Sequence, residues 1–237
     1  MPPEGDTGTA RPRAAWNPLE SLPVFLIAAF LSTPAAIFLT GKAGALLAGL
    51  VSELALGAVV IFWLTVVRKG GLAAVGFRFD VSDIRAGAGW GAVIYVAGLF
   101  MVAPLISLLL SRATGGRVHS PQQLPGGLDA VDLVAAGVFV VSAAFGEELF
   151  FRGFLFRSLR EHFNFWVAGA VSSAAFGAAH FQPTGGAGGS WLLVATMFFV
   201  GFGFAWVYER RGNVVADMTS HGLFNLISLV LIAITAR

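Results

Sequence analysis

Within an apolar run from Leu133 to Phe156 stand two adjacent carboxylates, Glu147 and Glu148, and one arginine, Arg152. A charge near the middle of a bilayer-spanning helix costs about 2.5–3.5 kcal/mol on insertion scales. Such residues persist where they face a protein interior and have partners. Glu148 and Arg152 are i and i+4 with the acid N-terminal, the favourable order for a helical ion pair. Glu147 lies about 100° further round the helix and is not committed to that arginine. The spacing therefore holds one carboxylate and leaves the other free to move protons.

Other polar groups fall inside apolar runs. His180 ends the stretch Phe176-Gly-Ala-Ala-His180, with Phe176 one turn earlier on the same face. Gly177, Ala178 and Ala179 leave room for another helix or a substrate backbone. The last apolar run carries Asp217, His221 and Asn225 at i+4 intervals, a polar stripe that should point inward. Glu147 lies roughly 21 Å before, and His180 roughly 24 Å after, the turn near 161–164, so antiparallel neighbours put them at similar height. His221 is only roughly 12 Å beyond Asn213, and matches that height if its turn is sunk into the protein or the helices tilt.

Structural roles compete for the same residues. Glu148–Arg152 serves equally well as a structural ion pair, and Asp217 as a complement to the N-terminal dipole of its helix. His162, beside Arg160 and Glu161, reads as an interfacial side chain, and His119 as a solvated one. Glu53 lies inside the second apolar run with no partner evident from the sequence.

The elements that must position these groups are membrane helices. The chain is 57% hydrophobic and 12% charged, about half the charge fraction of a soluble domain. Apolar runs fall at 22–41, 44–67, 86–110, 130–156, 165–181, 190–208 and 214–235, each near the ~20 residues that cross a bilayer. The expected fold is an all-α polytopic membrane helical bundle with about seven to eight transmembrane helices. Residues 1–21 read as a disordered tail rich in Pro, Gly, Thr and Arg, 22–129 as N-terminal spans and loops, and 130–235 as the transmembrane half that carries the candidate site. The first apolar run is longer than a signal-peptide core and reads as a retained span.

Pro34 and Pro104 are expected to kink their helices. Gly87 and Gly91 form a small-xxx-small pair suited to close helix packing. Residues 71–85 mix apolar and charged side chains and are expected to lie at the interface. The longest polar loop, 111–129, holds Arg117, His119, Pro121 and Pro125. Eleven basic residues against four favour a cytoplasmic N-terminus. That rule also accounts for the net charge of +2, so no nucleic-acid partner is implied. The absence of cysteine removes disulfides, thiol nucleophiles and thiolate metal sites.

Three stretches together, Glu147-Glu148-Leu-Phe-Phe-Arg152, Phe176-Gly-Ala-Ala-His180 and His221-Gly-Leu-Phe-Asn225, resemble the signature of the CPBP intramembrane protease family. It is also called the Abi or type II CAAX prenyl endopeptidase-like family. The similarity covers about 130–230, with all three motifs in order on separate apolar segments. The resemblance implies a multi-pass endopeptidase of a cell membrane, expected to be prokaryotic, acting on a protein or peptide substrate within the lipid bilayer. Glu147 would be the general base that activates a water, assisted by His180. His221 and Asn225 would bind the oxyanion, with Glu148, Arg152 and Phe176 supporting.

Amide hydrolysis needs such a nucleophile, proton carrier and charge-stabilising donors. The chain contains no Gly-x-Ser-x-Gly elbow and no His-Glu-x-x-His zinc helix. Two mechanisms remain at this stage: a glutamate-type reaction without cofactor, or a Zn2+ or other divalent metal held by Glu147, His180 and His221 with one position open. Asn225, a poor zinc ligand and a good oxyanion donor, favours the first. A proton-coupled transporter would use similar residues, but the inverted repeats expected of one are not evident. A non-catalytic immunity or scaffold protein of the same fold is the other alternative. The sequence does not specify oligomeric state.

Overall fold

The computed structural model describes residues 14–119, 129–183 and 186–235. The described residues are helical and form no strand. They comprise α1 (Ser21–Phe38), α2 (Gly41–Phe62), α3 (Val81–Ala97), α4 (Ala103–Thr114), α5 (Ala130–Glu148), α6 (Arg157–Arg160), α7 (Phe165–Ala179), α8 (Gly186–Arg211) and α9 (Val214–Thr235). Several run on into one another, giving six continuous helices long and apolar enough to cross a membrane. α7 is a shorter apolar helix, so all seven apolar segments read from the sequence are helical. Large apolar side chains such as Phe30, Phe100, Val131 and Trp166 cover the exterior, as a lipid-facing surface requires.

In lipid, apolar side chains gain little from meeting one another, and close approach of backbones decides which helices pair. α3 packs on α9 in this way. A Cβ at Gly87 would stand 2.3 Å from the Ala216 carbonyl oxygen, and one at Gly91 2.4 Å from that of Ser220. The Ser220 hydroxyl donates to the Gly87 carbonyl at 2.7 Å, completing the contact. α7 meets α8 at Gly177, where a Cβ would stand 2.5 Å from the Val194 oxygen. α2 meets α5 at Gly146, where a Cβ would stand 2.5 Å from the Glu53 oxygen.

Three helices loosen into π turns, at Trp63–Val67, Gly98–Val102 and Leu149–Phe156. The second directly precedes α4, so Pro104 falls in the first turn of a new helical segment, where its missing N–H costs least. The third begins at the residue after Glu148. Its carbonyls gain donors from elsewhere: the Ser172 hydroxyl reaches Phe151 O at 2.9 Å and the Trp16 indole reaches Phe154 O at 2.9 Å. A π turn is a frequent device at functional sites, because the extra residue re-aims the side chains around it.

Two stretches outside the spans take defined shapes. In residues 71–85 a short 3-10 turn, Leu72–Val75, is followed by an extended stretch, and Asp80 caps α3 by accepting from Ser82 N at 2.7 Å. This loop folds under the α8–α9 turn, because Gly76 adopts φ +68° and comes so close that a Cβ would stand 2.2 Å from Gly212 O. Arg78 donates to Gly212 O at 3.2 Å and to Asp83 at 2.9 Å. Asn213 donates to Asp83 at 2.7 Å and to Arg78 O at 2.9 Å, while its own oxygen caps α9 at Val215 N.

The second is the N-terminal stretch, where residues 14–20 make specific contacts. Trp16 is buried and stacks on Phe154 at 5.0 Å. Asn17 and Glu20 form a capping box, and Glu20 pairs with Arg68. His119 is exposed, while Pro121 and Pro125 lie outside the described residues.

Candidate active site

The ion pair expected from spacing forms: Arg152 Nη1 donates to Glu148 Oε1 at 2.8 Å, with both side chains fully buried. Arg152 also donates from Nη2 to Gly201 O at 3.0 Å. Its guanidinium lies 4.4 Å from the Phe176 ring centroid and 5.4 Å from that of Phe204. A desolvated cation over aromatic faces gains about 2 kcal/mol from each good contact. Gly201 makes this possible, since a Cβ there would stand 2.9 Å from the Phe176 ring and 3.0 Å from Arg152 Nη2.

The same Glu148 oxygen accepts from His221 Nδ1 at 2.8 Å. With Nδ1–H spent on a carboxylate, the ring orientation is fixed and Nε2 is the working nitrogen. That atom lies 3.8 Å from Glu147 Oε2. Phe204 stacks on the imidazole at 4.9 Å and Phe176 meets it edge-on at 5.7 Å. Phe176 thus contacts Arg152 and both histidines, His180 lying 4.6 Å away.

His180 stands at the C-cap of α7. Its Nδ1 is 2.8 Å from Phe176 O, an acceptor only, so Nδ1 carries the proton and Nε2 is left as an acceptor. Asn225 donates one amide hydrogen to Val140 O at 3.2 Å and retains the other. Glu147, by contrast, has no hydrogen bond at Oε2. Glu147, His180, His221 and Asn225 all line one cavity of about 500 Å³, bounded also by Tyr95 and Thr196. The structure therefore brings together all four sequence-derived candidates, with Glu148, Arg152 and Phe176 behind them.

The height of His221 has a structural reason. The α8–α9 turn is sunk into the protein: Asn213 and Val214 are fully buried under the loop that carries Arg78 and Asp83. Asp217, in the first turn of α9, is fully buried with neither carboxylate oxygen hydrogen-bonded. Its sequence position suits a helix dipole, but its burial beside the Glu148–Arg152 pair goes beyond that role.

Some participants could not be placed, or were not singled out, from the sequence. Glu53, on α2, lies against Gly146 and next to Glu147. Phe204 and Gly201, both on α8, pack against the Arg152 guanidinium and Phe204 also against the His221 imidazole; the glycine-rich run Gly201-Phe-Gly-Phe204 is the one sequence signal of close packing there.

The three-ligand metal set is not assembled. Among the described residues no three His, Asp or Glu side chains are disposed to hold a metal ion. Around the cavity stand a carboxylate with an unpartnered oxygen on Glu147, an acceptor nitrogen on His180 and an uncommitted amide hydrogen on Asn225.

No curated protein and no solved structure gives a match to the chain. The family profile described as type II CAAX prenyl endopeptidase Rce1-like matches residues 129–227. That span runs from the N-cap of α5 past Asn225 and holds Glu147, Glu148, Arg152, Phe176, His180, His221 and Asn225. Residues 129–227 of this chain are an Rce1-like domain of the type II CAAX prenyl endopeptidase family.

Proposed function

We propose that this protein is an intramembrane endopeptidase that hydrolyses a peptide bond of a membrane-associated or CAAX-like protein substrate in the cell membrane of a prokaryote. The observation that carries this reading is the contrast between two adjacent glutamates. Glu148, fully buried, anchors Arg152 and His221 through Oε1, whereas Glu147 anchors neither and lines the cavity.

In the proposed reaction a water lies between Glu147 and His180 Nε2. Glu147 takes a proton from it as its oxygen attacks the scissile carbonyl carbon. The carbonyl oxygen becomes an oxyanion and accepts from the free Asn225 amide hydrogen and, with His221 as the doubly protonated imidazolium facing Glu148, from its Nε2–H. Glu147 then returns its proton to the amide nitrogen, the C–N bond breaks, and an acid and an amine leave. The Glu148–His221 hydrogen bond acts as an orienting contact, holding the imidazole while charge develops in front of it.

The test is cleavage of a quenched fluorescent peptide library by purified protein in detergent, comparing wild type with Glu147→Ala. Signal lost in the variant and indifferent to a strong chelator is the expected result. Equal signal from both proteins would sink the assignment of Glu147. Loss with chelator and recovery with zinc would sink the metal-independent chemistry.

A further inference from the structure

Glu147 belongs to two cavities. Besides the one it shares with His180, His221 and Asn225, it lines a second, of about 390 Å³, enclosed by α1, α2, α5 and the end of α7. Ala179 is the other residue common to both, so Glu147 and Ala179 form the wall between the two spaces. The second cavity carries polar groups in helices that are otherwise apolar: Ser32 and Thr33 on α1, Ser52 and Glu53 on α2. Glu53 Oε2 is buried with no hydrogen-bond partner, and so is Glu147 Oε2. Gly146 lets α2 come close enough to bring these carboxyls together: a Cβ at 146 would stand 3.3 Å from Glu53 Oε2.

Buried polar groups without protein partners in a space of this size are satisfied by water. Hydrolysis also has a supply problem. A substrate filling the first cavity excludes water from it, while the reaction consumes one water per bond cut. The hydroxyls of Ser32 and Thr33 donate to Ala29 O at 3.0 and 2.9 Å, which leaves their lone pairs free to accept from water.

We propose that the α1–α2–α5 cavity is the water entrance of the site, delivering the hydrolytic water to Glu147 from the side away from the substrate, with Glu53 positioning it. The inference rests on the peptidase reading for its purpose, and on the two cavities and the unpartnered carboxyls for its substance. Glu53 is here a positioning residue: it touches the water file next to Glu147 and not the scissile bond.

The cysteine-free chain allows a direct test in lipid nanodiscs. Ser52→Cys is placed in the second cavity and Leu54→Cys on the exposed face of the same helix, and both are treated with a small charged thiol reagent. Ser52→Cys is expected to react about tenfold faster or more, because thiolate chemistry needs water and an exposed lipid-facing thiol has none. Equal, slow labelling would mean a cavity filled by lipid and overturns the proposal. In turnover, Ser52→Phe and Glu53→Leu are expected to lower kcat by about tenfold or more at unchanged KM, with Glu53→Gln restoring most of it. Unchanged kcat in Ser52→Phe, with wild-type thermal unfolding, overturns it too. Labelling reads water and not turnover, so a wild-type protein that cleaves no peptide would refute the peptidase reading alone.

Discussion

His221 Nδ1 donates to Glu148 Oε1 at 2.8 Å, and this contact ties α9 to the end of α5 at the point where α5 becomes a π turn. The same oxygen receives Arg152 at 2.8 Å. One carboxylate oxygen therefore holds both an imidazole and a guanidinium, and the site is built backwards from it. Phe176 and Phe204 pack against both groups, so that neither can turn without displacing an aromatic neighbour.

Removing Glu148 strands a buried cation. Glu148→Ala is expected to destabilise the protein by about 3–5 kcal/mol, the usual cost of breaking a buried pair from one side. Replacing both partners, as Glu148→Leu with Arg152→Met, should recover most of that stability and none of the activity, since His221 would still lack its anchor. Denaturant unfolding in detergent, run beside a peptide-cleavage assay, separates the two effects. A double variant no more stable than Glu148→Ala would contradict this account of the pair.

Glu147 should behave in the opposite way. Its Oε2 makes no hydrogen bond, so Glu147→Gln is expected to leave unfolding within about 0.5 kcal/mol of wild type. Catalysis should fall by about 10²–10⁴-fold, the range for a lost general base. Comparing melting and cleavage on one preparation checks both halves. A destabilisation as large as that of Glu148→Ala would mark Glu147 as structural.

Asn225 divides its amide between a brace and a donor. Its bond to Val140 O at 3.2 Å is worth about 1 kcal/mol of stability, whereas an oxyanion donor is worth about 10²–10³ in kcat. Asn225→Ala is therefore expected to melt close to wild type while kcat drops by that factor at nearly constant KM. Steady-state kinetics on a single fluorogenic peptide decides it. A rise in KM with kcat intact would assign Asn225 to substrate binding instead.

The sequence carries those parts of the site that obey local periodicity. Glu148 and Arg152 pair at i+4, and Asp217, His221 and Asn225 share a helical stripe, so one-dimensional spacing suffices to pick them out. The long apolar runs reveal the spans for the same reason. What escapes is set by contacts between distant segments. Nothing near Asn213 indicates that its turn is buried, because the cover comes from Arg78 and Asp83, more than a hundred residues earlier. Glu53 looks orphaned until α2 is laid against Gly146, and the π turn after Glu148 leaves no signature in a run of Leu and Phe. The composition of residues 71–85 does not reveal their contacts: they cap one helix and close over the turn between two others.

The approach of α3 to α9 makes a prediction that separates position from bonding. Gly91→Ala would set a methyl 2.4 Å from the Ser220 carbonyl oxygen, a backbone atom that cannot rotate away, so the helices must part. Overpacking of this kind costs about 1–3 kcal/mol. Parting them moves Ser220 and, with it, the adjacent His221, whose Nε2 lies only 3.8 Å from Glu147. Activity should fall by about 10²-fold, as expected when a reacting group is displaced by about 1 Å. Ser220→Ala is the control, because it deletes the 2.7 Å bond to Gly87 O without adding volume. It should cost about 1 kcal/mol of stability and leave cleavage within a few-fold of wild type. If both variants lost stability equally and kept full activity, the α3–α9 contact would serve the fold alone and not the placement of His221.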